Sequence, residues 1–285
     1  MQYLKDYNEI LYDKVILLRN NYVPRKIRYG FFSRLLKPKL YICSAHKKSK
    51  QAISKLAAEF MGIGTDDIDS IAKEYLHKLR NMQKYITESD VKPFWTTELG
   101  REWLCLNLFT QLGFNLDFYR ALLRSDKIHE GGEVYDYGCG CAALSLMLND
   151  KFNFEKLTLS DLDNYASDFV KYYIQSTGKT NIEWENILNS DKNKKDDYDI
   201  VICLDVLEHL ENSFSHFMHL HNKLKKNGIL VLGIAFEGED VTHLPQACED
   251  FYIKNDGWTF LNENYQLYES IHYNISLISG IYIKK

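Results

Sequence analysis

No apolar run in the 285 residues approaches the length needed to cross a bilayer, so a membrane-spanning helix is not expected. Paired cysteine spacings are lacking too. The six cysteines (Cys43, Cys105, Cys139, Cys141, Cys203 and Cys248) are scattered without a framework. Cys139 and Cys141 have one residue between them and no second close pair elsewhere, which argues against both a structural zinc site and a disulfide scaffold. Residues Met1–Asn20 carry charges throughout instead of an uninterrupted apolar signal core, so a reducing cytoplasm is the expected compartment. Internal repeats and low-complexity tracts are absent. Acids are missing from a whole stretch: between Asp13 and Glu59 there is none, while twelve of the 35 lysines and arginines fall there. The net charge of −4 therefore divides into a segment of about +12 and a remainder of about −16. Tyr22, Tyr29, Phe31, Phe32 and Tyr41 are interleaved with those cations. Such a segment can hold nucleic acid, a phosphorylated or carrier-bound metabolite or an anionic membrane surface, or lie against the acidic body of its own chain; nucleic acid is therefore not the favoured partner.

What is present is an ordinary globular composition, 45% hydrophobic and 26% charged, long enough for one large domain or a domain with a cap. Up to about Ser125 the pattern is helical. Ile68, Ile71, Tyr75, Leu79, Met82 and Ile86 recur at three- and four-residue steps and make one apolar stripe, and Glu98 to Phe109 reads as another helix ending near Gly113. After Gly132 short apolar runs alternate with helical ones. Val134–Tyr137, Lys156–Ser160, Asn181–Glu185, Asp199–Leu204 and Ile229–Ile234 are the strand candidates of a parallel sheet with crossovers, and Tyr265–Leu267 and Ser276–Lys284 those of an antiparallel edge pair. The expected organisation is an all-α cap over residues 1–128 and an α/β domain over 129–285, its mostly parallel seven-stranded sheet flanked by helices.

A parallel sheet binds ligands beyond the carboxyl ends of its strands, and the most unusual stretch lies there. Asp136-Tyr-Gly-Cys-Gly-Cys-Ala142 follows the first strand candidate and precedes a helix. Gly138 and Gly140 let backbone approach a ligand with no Cβ in the way, and the helix starting near Ala142 is expected to aim free amides at it. Asp136 can accept from an ammonium group or from loop amides. Asp161, ending the second strand, can take both hydroxyls of a ribose. Gly138 to Ala143 can also be read as the G-x-G-x-x-A of a dinucleotide site, with the acid about 20 residues on that such a site shows, so the glycines alone leave the nucleoside open.

The order and spacing of that turn, of Leu159-Ser-Asp161, of Tyr198-Asp-Ile-Val-Ile-Cys-Leu-Asp-Val-Leu-Glu-His-Leu210 and of Leu224-Lys-Lys-Asn-Gly-Ile-Leu-Val-Leu232 resemble the class I S-adenosylmethionine-dependent methyltransferases, from about Gly131 to the C-terminus. The Asp-Val-Leu-Glu-His-Leu element is more specific than the glycine loop, which departs from the common pattern at Ala142, where a third glycine is usual. The resemblance implies a Rossmann-like fold and S-adenosylmethionine as cofactor. It implies that Gly138 and Gly140, with Tyr137, pass under the methionine part, that Asp136 supports the amino group or the loop, and that Asp161 and Leu162 border the ribose. Asn186 and Ile187 would lie near the adenine, and Leu204 and Asp205 beside the sulfonium.

The implied reaction is an in-line methyl displacement onto an aligned oxygen or nitrogen of a small-molecule acceptor, anionic or carrier-bound acceptors included. Asp205, Glu208, His209 and His243 are the candidate catalytic residues, with His209 or His243 as base. Glu208 and His209 can equally shape the cofactor pocket or cap the next helix. The same four residues are similar to the metal cluster of small-RNA 2′-O-methyltransferases, but their convergence is not readable from sequence, and no metal is assigned. His216, His219 and His221 are expected to be exposed on a helix whose buried stripe is Phe214, Phe217 and Leu224. Alternatives of other classes are an RNA methyltransferase using the basic segment, a non-catalytic cofactor-binding partner module and a dehydrogenase. The oligomeric state is left open.

Overall fold

The computed structural model describes residues 44–285 apart from 80, 83–84, 99, 114, 190–197, 237–240 and 272–277. Most of the basic segment, with its aromatic residues, lies outside the described residues. Among the described residues five helices come first: α1 (Ser44–Met61), α2 (Asp67–Leu79), α3 (Glu88–Pro93), α4 (Arg101–Gln111) and α5 (Leu116–Arg124), with a π-helical turn over Phe94–Glu98 running on from α3. The α2 stripe is shorter than its periodicity predicts. Ile68, Ala72 and Leu79 are buried along it, while Ile86 lies beyond its end and is 61% exposed.

The sheet holds β1 (Glu133–Tyr137), β2 (Lys156–Asp161), β3 (Ile182–Asn186), β4 (Tyr198–Leu204), β5 (Leu224–Gly233), β6 (Tyr265–Ser270) and β7 (Gly280–Lys284) in the order β3-β2-β1-β4-β5-β7-β6. Pairs among β1 to β5 are parallel, and β7 is antiparallel to both β5 and β6. The two last strands were expected as an edge pair. Only β6 is at the edge, because β7 inserts between it and β5.

Between the strands run α6 (Ala143–Phe152), α7 (Tyr165–Thr177), α8 (Ser213–Lys223), α9 (Pro245–Cys248) and α10 (Gly257–Asn264). Local sequence sets these bounds. Asn164 caps α7 by accepting from the amides of Ala166 and Ser167 while Ser167 answers the Asn164 amide, and Gly178 at φ +63° ends the helix in the left-handed conformation. Helix α6 is buried on every side from Ala143 to Asn149, as its uniformly apolar sequence requires.

Strand alternation sorts the core onto two faces. Val134, Leu157, Leu159, Ile200, Ile202 and Val231 join one hydrophobic cluster with residues of α1 to α7, whereas Tyr135, Tyr137, Val201, Cys203 and Leu230 join another with Phe217 and Leu220 of α8. Side chains such as Phe118 and Phe217, each fully buried, contribute about 1.5–3 kcal/mol apiece by leaving water. The N-terminal helices thus share one core with the sheet rather than resting on its surface. No described helix is long and apolar enough to cross a membrane.

Candidate active site

The glycine turn leaves β1 in a left-handed run, with φ +68° at Gly138, +54° at Gly140 and +54° at Ala142. A Cβ on Gly138 would stand 2.4 Å from Cγ2 of Val206, and one on Gly140 would stand 2.4 Å from Oδ1 of Asn107, so neither position has room for a side chain. Ala142, where the glycine pattern would favour a third glycine, accepts the left-handed penalty of about 1–2 kcal/mol and buries its methyl completely.

The helix after the turn is expected to aim free amides at a ligand; the amides of the turn itself are engaged within the chain. Gly138 and Cys139 donate to the Ser160 carbonyl (2.8 and 3.1 Å), Gly140 to Oδ2 of Asp161 (2.6 Å), Cys141 to Oδ1 of Asn107 (2.7 Å) and Ala142 to the Cys139 carbonyl (2.8 Å). In the first turn of α6, the Leu144 amide donates to Oε1 of Gln111 (3.4 Å). The turn amides and that of Leu144 are therefore engaged within the chain, which weakens the physical basis of the dinucleotide reading. What such a turn can offer a ligand is carbonyl oxygen, the partner of an ammonium group.

Two carboxylates face the same turn, Asp136 buried and Asp161 half-buried. Asp136 accepts from Oγ of Ser145 at 2.6 Å and is raised to about 7, chiefly by burial, against the lowering effect of that hydrogen bond, with the nearby Asp161 charge adding to the rise. Asp161 accepts from the amides of Gly140 and Leu162, one on each oxygen at 2.6 Å, and burial still raises it to about 6. Each Asp161 oxygen keeps capacity for a ribose hydroxyl. The neighbouring thiols Cys139 and Cys141 are buried; burial pushes Cys141 up to about 12 and Cys139 well above its usual value, so neither is a thiolate at neutral pH.

Asn186 pairs in register with Asp161, donates to Asp163 (2.6 Å) and accepts from Leu188, at the adenine end of such a site; Ile187 begins the short helical turn after it. Tyr137 departs from expectation. It alternates to the other face of β1, where its hydroxyl bonds Nδ1 of His216 and its ring lies against His219, so its side chain is outside the cradle. His219 was expected to be exposed and is 5% exposed, packed against the rings of Tyr135 and Tyr137. His221 is half-buried, accepts or donates at the Tyr265 hydroxyl (3.0 Å), and is lowered to about 4 by burial, helped by the Lys284 charge.

Beyond β4, Leu204 touches the cradle side of the core and Asp205 sits at φ +56°, its amide bonded to the Gly233 carbonyl (2.9 Å), so the strand end is held in a strained bend. Glu208 is fully buried; its Oε1 accepts from the Ala235 amide (2.9 Å), tying the segment after β4 to the one after β5. His209 Nδ1 lies 2.9 Å from the Thr242 carbonyl. A carbonyl only accepts, so Nδ1 carries a proton in this contact. The rings of His243 and Trp95 each stand 4.9 Å from that of His209 at steep angles. Glu208, His209 and His243 each bring a ligand atom within 4.8 Å of the others, a set that could hold a metal ion and that sequence alone left unassigned.

Asn107, Gln111 and Ser145 were missed by the sequence reading. The two amides stand four residues apart in a helix otherwise rich in Leu and Trp, which is the signal that would have shown them on one face.

A family described as "Methyltransferase domain" matches residues 135–230, the segment that carries the turn, Asp161 and the Asp205–His209 element. That segment is similar to methyltransferase domains, and it carries the parallel strands β1 to β4 with their turns. Curated relatives agree over partial lengths. The mitochondrial ubiquinone biosynthesis O-methyltransferase of Schizosaccharomyces pombe is 27% identical over 169 residues, covering 57% of this chain and 60% of that one. The ubiquinone biosynthesis O-methyltransferase of Rickettsia canadensis is 30% identical over 100 residues, covering 35% and 41%. The chain spans less than two thirds of each relative's length.

Proposed function

We propose that the chain is an S-adenosylmethionine-dependent methyltransferase that moves a methyl group to an oxygen or nitrogen of a small molecule, with a hydroxyl the favoured acceptor. The carrying observation is the glycine turn whose own amides are engaged internally and which faces two carboxylates, the buried Asp136 and the half-buried Asp161. That polarity fits a cationic nucleoside and opposes a phosphorylated one. The cofactor supplies a methyl group already on a good leaving group. The chain's own task is then to bind, align and take up a proton.

Asp161 holds the ribose hydroxyls, and Asp136 with the turn carbonyls faces the ammonium group. His209 takes the acceptor's proton at Nε2, with its ring fixed by the Thr242 carbonyl. Glu208 acts as a positioning residue by joining two segments at the rim, and Trp95 forms a flat wall beside His209 that suits a planar acceptor. The relatives' names as O-methyltransferases support oxygen, since a hydroxyl, unlike an amine, gains strongly from such a base. The free thiols among the described residues support a reducing compartment. A second reading, favoured by the convergence of Glu208, His209 and His243, is that a divalent cation there binds and polarises the acceptor hydroxyl.

Titration calorimetry with S-adenosylmethionine, S-adenosylhomocysteine, NAD and ADP tests the cofactor reading: the first two are expected to bind, and Asp161→Ala to weaken them by about tenfold or more. Selective binding of NAD would end it. A screen of hydroxylated aromatic acceptors then tests the base, with His209→Ala expected to lower kcat by about 10²-fold or more at unchanged cofactor affinity.

A further inference from the structure

Among the described residues, two amide side chains of the cap hydrogen-bond the glycine turn and the start of α6. Asn107 and Gln111 lie one helical turn apart on α4, and Gln111 Nε2 donates both to Asn107 Oδ1 (3.1 Å) and to the Cys139 carbonyl (2.9 Å). Asn107 Oδ1 in turn accepts the Cys141 amide, and Gln111 Oε1 accepts the Leu144 amide. Contact is close enough that Gly140 has no room for a Cβ beneath Asn107. Turn amides and first-turn helix amides are the donors that attract phosphate when they are left open.

We propose that Asn107 and Gln111 set the ligand polarity of the glycine turn: by engaging the Cys141 and Leu144 amides from outside, they make the turn select a cationic nucleoside over a phosphorylated one. Both are positioning residues. The inference rests on the cofactor reading above and adds to it the residues by which a turn of dinucleotide-like sequence rejects a dinucleotide. Removing either side chain exposes an amide donor on the ligand's side of the charge balance. Affinity for the sulfonium nucleoside falls while affinity for phosphate rises.

The test is calorimetry of the full chain with S-adenosylhomocysteine and with ADP, for wild type, Asn107→Ala, Gln111→Ala and Asn107→Asp. Each alanine variant is expected to lower the ratio of the two affinities by about tenfold, the worth of one engaged polar group. Asn107→Asp keeps an oxygen for the Cys141 amide and adds a negative charge that repels phosphate, so its ratio is expected to stay at or above the wild-type value. A merely structural role would weaken both ligands together and leave the ratio unchanged, and that result, or an Asp variant as poor as the alanine one, overturns the proposal. If Asn107→Ala does not fold, Gln111→Ala at the half-buried end of α4 carries the test alone. A wild-type chain that binds no S-adenosylhomocysteine overturns the cofactor reading itself, whereas variants that match a binding wild type overturn only the present inference.

Discussion

Asp136 and Asp161 are carboxylates that the folded chain holds raised, to about 7 and about 6, by taking them out of water. A raised acid binds more protons folded than unfolded between its ordinary value and its folded one, so its contribution to stability is present at low pH and lost as pH rises. The ligand-free protein is therefore expected to lose stability between about pH 4 and pH 7, followed as a falling melting temperature across a buffer series. S-adenosylhomocysteine, whose ammonium group favours the charged Asp136, is expected to bind more tightly as pH rises from about 5.5 to 7.5, with protons released on binding that calorimetry in buffers of different ionisation enthalpy would count. A pH-independent affinity would show that neither carboxylate meets the ligand. At this scale Asp136, Gly138, Gly140 and Asp161 were legible in sequence because each sits at a strand end with a chemistry of its own. Tyr137 was not placed correctly, since period-two alternation sends its ring away from Asp136. Asn107 and Gln111 were not legible as partners because a contact across 34 residues leaves no local mark.

Helix α3 is joined to the segment after β4 by a reciprocal pair. The Glu88 amide donates to the Glu211 carboxylate (2.8 Å), the Glu211 amide donates to the Glu88 carboxylate (3.1 Å), and the Tyr85 amide adds a bond to the Val241 carbonyl (2.8 Å). This fastens the π-helical turn that carries Trp95 onto His209. Replacing Glu88 by Ala is expected to weaken that fastening by about 1–2 kcal/mol, the range for losing an amide's charged acceptor. Because the loss is local, faster hydrogen exchange at Glu211 and Tyr85 is expected with little change in global melting temperature. A uniform rise in exchange across the sheet would instead mean that the pair supports the whole core. Elements themselves were readable from pattern: β1 to β5 fall within a few residues of their apolar runs. The ends were less so. Continuation of the α2 stripe to Ile86 failed because the chain turns after Leu79 to bring Glu88 to its partner.

Over the whole molecule, the cap and the sheet are one folding unit in energetic terms, for Phe94, Leu104, Leu108 and Phe118 share a buried cluster with Val134, Leu157 and Ile202. A chain beginning at residue 129 would expose that face, and it is expected to be insoluble or unfolded, whereas the full chain should melt in one transition for cap and sheet. In a variant with Trp184 and Trp258 replaced by Phe, tryptophan fluorescence, which then follows Trp95 and Trp103 of the cap, and far-ultraviolet dichroism should give the same midpoint; separate midpoints would show a cap that folds by itself. The sequence divided the chain at about residue 128 from the change in texture alone, and texture says nothing about which apolar faces meet. Charge gives a similar lesson. Lys50, within the basic segment, caps the Leu112 carbonyl after α4 (3.1 Å), so at least this cation is turned to its own chain.

Alternation along β1 gives the strand a reading frame. Val134 and Asp136 face the cap and α6, Tyr135 and Tyr137 face α8, and every second position changes its whole surroundings. Losing one residue between Gly132 and Tyr135 would aim a phenol at the ligand and drive a carboxylate in among Phe217 and His219. The length of that short approach to the strand is thus under a stricter constraint than any side chain along it.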